Sequence, residues 1–187
     1  CFIDEIIIES TGPKISASNI DKVPAKGVTN ATATYTAKNF TDDVSVSAFT
    51  GNVTSATAAG GIITYSVAPN YTGAATEGTI TLSSASAPEV TVKVSQLADE
   101  FTVTPAEIVL GGTSGSTKTF TVTSTYAWTA SAAGSGYTVS PENGEAGTTE
   151  ITVTATADGA TEQQQLGTVT VKRKPDSKTA QVSVSQS

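Results

Sequence analysis

The second half of this chain repeats the first, and that constrains its fold more than any other feature. Val92-Lys93-Val94-Ser95-Gln96 returns as Val182-Ser183-Val184-Ser185-Gln186, and Gly78-Thr79-Ile80-Thr81-Leu82 returns as Gly167-Thr168-Val169-Thr170-Val171. The offsets are 90 and 89 residues. Upstream, Ile63-Thr64-Tyr65-Ser66-Val67 aligns with Ile151-Thr152-Val153-Thr154-Ala155, and Thr34-Tyr35-Thr36-Ala37 with Thr119-Phe120-Thr121-Val122, at offsets of 88 and 85. Offsets that drift by a few residues are what loop-length changes between equivalent strands produce. Two copies of one small domain follow, over 14–97 and 98–187, with the junction at Leu97-Ala98-Asp99-Glu100 and a separate segment over 1–13.

Within each copy the apolar residues are β-branched or aromatic and recur at every second position, as half-buried strands require. No window carries the 3.6-residue period of a helix. In the second copy this pattern predicts strands at Phe101–Thr104, Glu107–Leu110, 117–123, 127–130, 150–157, 167–173 and 179–185. Turns are expected at Gly111-Gly112, Gly134-Ser135-Gly136, Pro141-Glu142-Asn143-Gly144 and Asp158-Gly159. About seven strands with turns every 8–12 residues predict an all-β chain of two tandem immunoglobulin-like Greek-key β-sandwiches. In the first copy the register between Val44 and Phe49 and through 51–61 is left open.

Composition removes several chemistries. There is no His, which excludes an imidazole base, a Ser-His-Asp or Cys-His nucleophile pair and a His-ligated metal. The single Cys forms no internal disulfide, no Cys-ligated zinc site and no CxxC redox pair. The net charge of −7 is spread over both halves, so no basic module for nucleic acid is expected. The cationic run Lys172-Arg173-Lys174, beside Pro175-Asp176, reads as a solvated hairpin end with no partner.

The residues of the second copy resemble a known family. Phe101-Thr102-Val103-Thr104-Pro105, Phe120-Thr121-Val122-Thr123-Ser124 with Trp128 after it, Val139-Ser140-Pro141 with Gly144, and the closing Val182-Ser183-Val184-Ser185-Gln186 are similar to the BACON domain (Bacteroidetes-associated, carbohydrate-binding, often N-terminal) over 101–186. The first copy keeps Val94-Ser95-Gln96 and the Gly78 strand. It has Val44 or Val46 where the Trp falls and no Pro-Glu-Asn-Gly counterpart, so it resembles a divergent member. The resemblance implies an immunoglobulin-like sandwich of bacterial surface and secreted proteins, often attached to glycan-degrading enzymes.

Cys1 is expected to be a processed start or the point where a longer chain was cut. With that resemblance it reads as the lipidated residue of a cell-surface, outer-membrane lipoprotein whose signal peptide is removed before it, attached to the membrane through acyl chains on Cys1. Phe2, Ile3 and Ile6-Ile7-Ile8 are too apolar for a solvated tether and predict a strand, paired with the first domain or with a partner.

Among candidate site residues, Trp128, Phe120 and the equivalent Tyr35 are expected in the cores, a lone mid-sequence Trp being the usual centre of such a sandwich. Tyr71, Tyr126 and Tyr137 fall near predicted loops and are the candidates for an exposed glycan platform. Asp42-Asp43 point to opposite faces of an extended chain, and Asp99-Glu100 supply too few oxygens for Ca²⁺ and read as a charged hinge. Glu142, Glu145 and Asp158 flank turns without a nucleophile or base beside them. The Asn-x-Thr triplets at Asn30, Asn39, Asn52 and Asn70 are compositional. No catalytic residue, metal or cofactor is expected. The chain reads as an accessory module that binds or presents, its partner a glycan or a surface protein, with a spacer or assembly subunit as the alternative. Exposure of the three tyrosines on one face separates the two.

Overall fold

The computed structural model describes residues 11–187; Cys1 and the apolar segment from Phe2 to Ile8 lie outside the described residues. It is all-β and divides into two compact units. One holds the chain through Asn70 with Ala74–Ala98, the other Tyr71–Gly73 with Asp99–Ser187. Tyr71, part of the first copy by sequence, therefore groups with the second unit.

The first unit contains β1 (Lys14–Ala17), β2 (Ile20–Val23), β3 (Val28–Lys38), β4 (Ser45–Phe49), β5 (Val53–Ala59), β6 (Ile62–Val67), β7 (Thr76–Ser83) and β8 (Val90–Gln96). They form two four-stranded sheets, β1-β3-β6-β5 and β2-β8-β7-β4. All ladders are antiparallel except β2 against β8, where the first and last strands of one sheet run parallel. That strand order is the immunoglobulin-like Greek-key sandwich. Ile63, Ile80, Leu82, Val92 and Val94 fill its core, with Tyr35 and Tyr65 at 7% exposure each. Val44 is buried just ahead of β4 while Val46 is only partly so, and because Val46 pairs with Leu82 as Ala130 pairs with Val171, Val44 stands at the place of Trp128.

The second unit contains β9 (Phe101–Thr104), β10 (Glu107–Leu110), β11 (Thr117–Ser124), β12 (Trp128–Gly134), β13 (Tyr137–Ser140), β14 (Asn143–Gly144), β15 (Gly147–Ala155), β16 (Gln164–Arg173) and β17 (Thr179–Gln186). Its sheets are β13-β15-β11-β9 and β10-β17-β16-β12-β14, with β10 and β17 again parallel. Trp128, Phe120, Ile151, Val169, Val171, Val182 and Val184 are buried together. Two strands here are additions to the seven expected from sequence. The stretch around Val139-Ser140-Pro141 pairs with β15 as β13, and Asn143-Gly144, expected as a turn, pairs with β12.

The outward face of β13-β15-β11-β9 explains the threonine content. Register sets Thr154 between Thr138 and Thr117, Thr152 between Ser140 and Thr119, and Thr123 between Thr148 and Thr102. Threonine suits this position because its branched Cβ favours the extended backbone while its hydroxyl faces water.

The terminal Gln of each copy is a buried clamp. Gln96 Nε2 donates to Pro24 O at 3.2 Å and Ala68 O at 2.8 Å, and its Oε1 accepts from Asn52 Nδ2 at 2.8 Å and Thr76 Oγ1 at 3.1 Å. Gln186 Nε2 donates to Gly111 O and Ala157 O, both at 3.0 Å. In both units the amide ties the carbonyl chain following the second strand to the carbonyl chain following the strand that leads into the penultimate one. Carbonyls at such sandwich ends lie beyond the sheet ladders, and burying them unpaired costs about 1–3 kcal/mol each.

Candidate functional site

The residues singled out from sequence separate clearly in space. Trp128 is fully buried, and its Nε1, alone among buried side-chain polar atoms of the described residues, has no hydrogen-bond partner. Phe120 and Tyr35 lie in the cores of their respective units. The expectation of an exposed tyrosine platform is corrected: Tyr126 is 8% and Tyr137 7% exposed, and only Tyr71, at 38%, reaches solvent. Tyr137 belongs to β13, so strand alternation turns it inward, and its hydroxyl donates to Ala133 O at 3.0 Å. Burial pushes the phenols of Tyr126 and Tyr137 above their ordinary values.

Tyr126 and Tyr71 instead build a cluster that sequence reading missed, centred on Arg173. The run Lys172-Arg173-Lys174, expected as a solvated hairpin end, alternates across the sheet: Lys172 and Lys174 are exposed while Arg173 is completely buried. Register makes Arg173 the cross-strand neighbour of Trp128. Its guanidinium Nη1 bonds the Asp99 carboxylate, Nη2 bonds Asp176, and Nε donates to Asp176 Oδ1 at 2.8 Å. Three rings surround it, with Cζ 5.3 Å from the Tyr126 centroid, 5.5 Å from Phe101 and 5.6 Å from Tyr71. Tyr71 and Tyr126 pack on one another at 5.2 Å between centroids.

Asp99 is thereby corrected from a charged hinge to a buried anion, its side chain 1% exposed. Burial pushes its carboxyl up. Hydrogen bonds from Arg173 and from the Gly73 N–H, with the guanidinium charge, outweigh that and hold it below its ordinary value. The hydrogen bond from Arg173 lowers Asp176 to about 2, against the opposing effect of burial, and the Arg173 guanidinium is raised, first by Asp176 and then by Asp99.

The charged groups of this cluster are committed to one another, which suits a plug at the end of a sandwich and leaves no free acid or base. Parity along β16 is the signal that finds it: with Val169 and Val171 inward, position 173 is inward too. The first copy has Ser84 at the equivalent place and, among the described residues, no such ion-pair network. Elsewhere, Asp42 accepts from Ser86, and Asp158 Oδ1 accepts from Ser114 N at 2.8 Å. Among the described residues no group of three or more His, Cys, Asp or Glu side chains is placed to hold a metal ion.

No family model and no curated protein matches the sequence. Several solved structures are similar to it. The S-layer protein rSbsC(31-844) is 17% identical over 94% of this chain and 27% of its own, with a TM-score of 0.48. A Bacteroides ovatus xyloglucanase in complex with a XXXG heptasaccharide is 22% identical over 47% of this chain and 19% of its own, at 0.41. The D00-D0 domain of intimin is 11% identical over 94% and 99%, at 0.38. The fold stands on the sheet order and register above.

Proposed function

We propose that the chain is a non-catalytic, load-bearing spacer or assembly subunit made of two immunoglobulin-like units. The observation that carries this reading is the closure of each unit. Its second strand and its last run parallel and side by side, Ile20 against Val94 and Val23 against Gln96 in one, Glu107 to Leu110 against Ser183 to Gln186 in the other. Tension applied along the chain loads those hydrogen bonds in shear, so several must break together, whereas antiparallel neighbours pulled at one end open one bond at a time. The burial of Tyr126 and Tyr137 also favours this reading over aromatic glycan recognition. The resemblance of 101–186 to BACON domains supports a place at a bacterial surface.

Single-molecule pulling of the whole chain tests the proposal. Force applied through the two ends of the second unit is expected to unfold it at several times the force needed between handles at Gln164 and Ser187, where β16 peels from β17. Equal forces in the two geometries would overturn the load-bearing reading.

A further inference from the structure

On the outward face of the first unit, β1 and β3 bring two like charges together. Lys14 lies directly opposite Lys38, and Ser16 opposite Thr36, while Ile15 between them turns into the core. Side chains directly opposite on antiparallel strands have their Cβ atoms about 5 Å apart, and like charges there repel. In a chain of net charge −7, neither lysine has an ion-pair partner among the described residues. The two flank a concavity of about 720 Å³ whose other lining includes Ser16, Thr36 and Asn39, and among the described residues no Asp or Glu lines it. Its rim is fixed rather than loose. Asn39 takes a left-handed backbone conformation at φ 64° and its Nδ2 donates to Gly12 O at 3.2 Å, closing the end of β3 onto the chain that enters β1.

We propose that this concavity binds an oxyanion, a sulfate or carboxylate group held between the Lys14 and Lys38 ammonium groups with the Ser16 and Thr36 hydroxyls donating beside it. An anion there removes the repulsion that the register imposes, and charge-assisted hydrogen bonds are the strong ones available to an exposed site. The volume exceeds that of a single ion and falls in the range of small-ligand sites. Among the described residues the lining is hydroxyl, amide and ammonium, without an aromatic or aliphatic wall, which suits an oxyanion carried on a hydroxylated chain, an acidic polysaccharide, over one carried on a lipid. The proposal adds a ligand to the spacer and stands independently of it.

Affinity electrophoresis of the full chain in chondroitin sulfate, polygalacturonate, neutral dextran and single-stranded DNA tests it, with inorganic sulfate as a competitor. Retardation is expected in the two acidic polysaccharides and not in dextran or DNA. Lys14→Gln with Lys38→Gln should weaken it about tenfold, the effect of losing charged hydrogen bonds. Lys172→Gln with Lys174→Gln, an equal change of charge at exposed positions on the other unit, should leave it unchanged, and unaltered thermal melts would show both variants folded. A rise in melting temperature with inorganic sulfate, lost in Lys14→Gln with Lys38→Gln and seen without retardation by either polymer, would support the site for free anions and discard the polysaccharide. Equal losses in the two double variants, retardation by DNA as strong as by polysaccharide, or no effect of any anion would each overturn the site.

Discussion

Arg173 has the most to lose by substitution. Its neighbour Asp99 has a side chain that is 1% exposed, so removing the guanidinium leaves a carboxylate buried without its counter-charge. Breaking a buried pair from one side costs about 3–5 kcal/mol, far more than the net worth of the intact pair. Arg173→Met is therefore expected to destabilise the second unit by that amount. Adding Asp99→Asn to it should recover part of the loss, because the stranded charge is gone. Urea unfolding followed by the emission of Trp128, the chain's one tryptophan and the cross-strand neighbour of Arg173, measures both; a single variant as stable as the parent would show the network to be dispensable. This residue also marks a limit of sequence reading. Trp128 and Phe120 are legible as core because an aromatic in an alternating strand has one place to go. An arginine between two lysines reads as solvent-facing unless parity is counted from Val169, and its partners Asp99 and Tyr71 are 74 and 102 residues away in sequence, where no local pattern points to them.

Among the elements, the strands with strong alternation were legible nearly to their ends, β9 and β10 to the residue. The missing pieces are short ones whose pairing is decided by tertiary contact. Four residues of β13 between Gly136 and Pro141 carry too little pattern to be told from a loop, and β14 exists because Asn143 and Gly144 lie along β12. The glycine is what allows that approach. A Cβ on Gly144 would lie 2.6 Å from Trp128 Cε2 and 2.9 Å from Nε1, distances at which the fully buried indole would have to shift. Gly144→Ala is expected to cost about 1–3 kcal/mol, the range for overpacking a filled core, and to move the Trp128 emission as the ring is displaced. Unchanged emission and an unchanged urea midpoint would mean that β14 lifts away freely and adds nothing to the sandwich. The motif Val-Ser-Gln shows the converse case. Its recurrence at 94–96 and 184–186 was visible in the sequence, while its physical role, an amide clamp across two loops, became visible only with the fold.

For the whole molecule, the absence of His sets a pH response that can be worked out by sign. No side chain has an ordinary value between about pH 5 and 7, so charge and stability are expected to be flat across that interval. Below it the carboxylates decide. Asp176 is held at about 2 and Asp99 also below its ordinary value, in both cases with Arg173 first among the groups that lower it, whereas in the unfolded chain both return to about 3.9. Between the folded and unfolded values the unfolded state binds more protons, so stability falls as pH falls. The contribution of these two groups is complete above about pH 5 and is lost progressively toward pH 2. Arg173, whose value is raised, keeps its contribution throughout this range, since such a group gives up stability only as pH rises. The melting temperature of the second unit, followed by Trp128, should therefore be level from pH 7 to 5 and drop steeply below 4. Asp176→Asn should start lower at pH 7 and show a shallower drop, because one of the two protonation steps has been removed. A profile that slopes between pH 5 and 7, or an Asp176→Asn profile parallel to the parent's, would place the acid-sensitive group outside the Arg173 network.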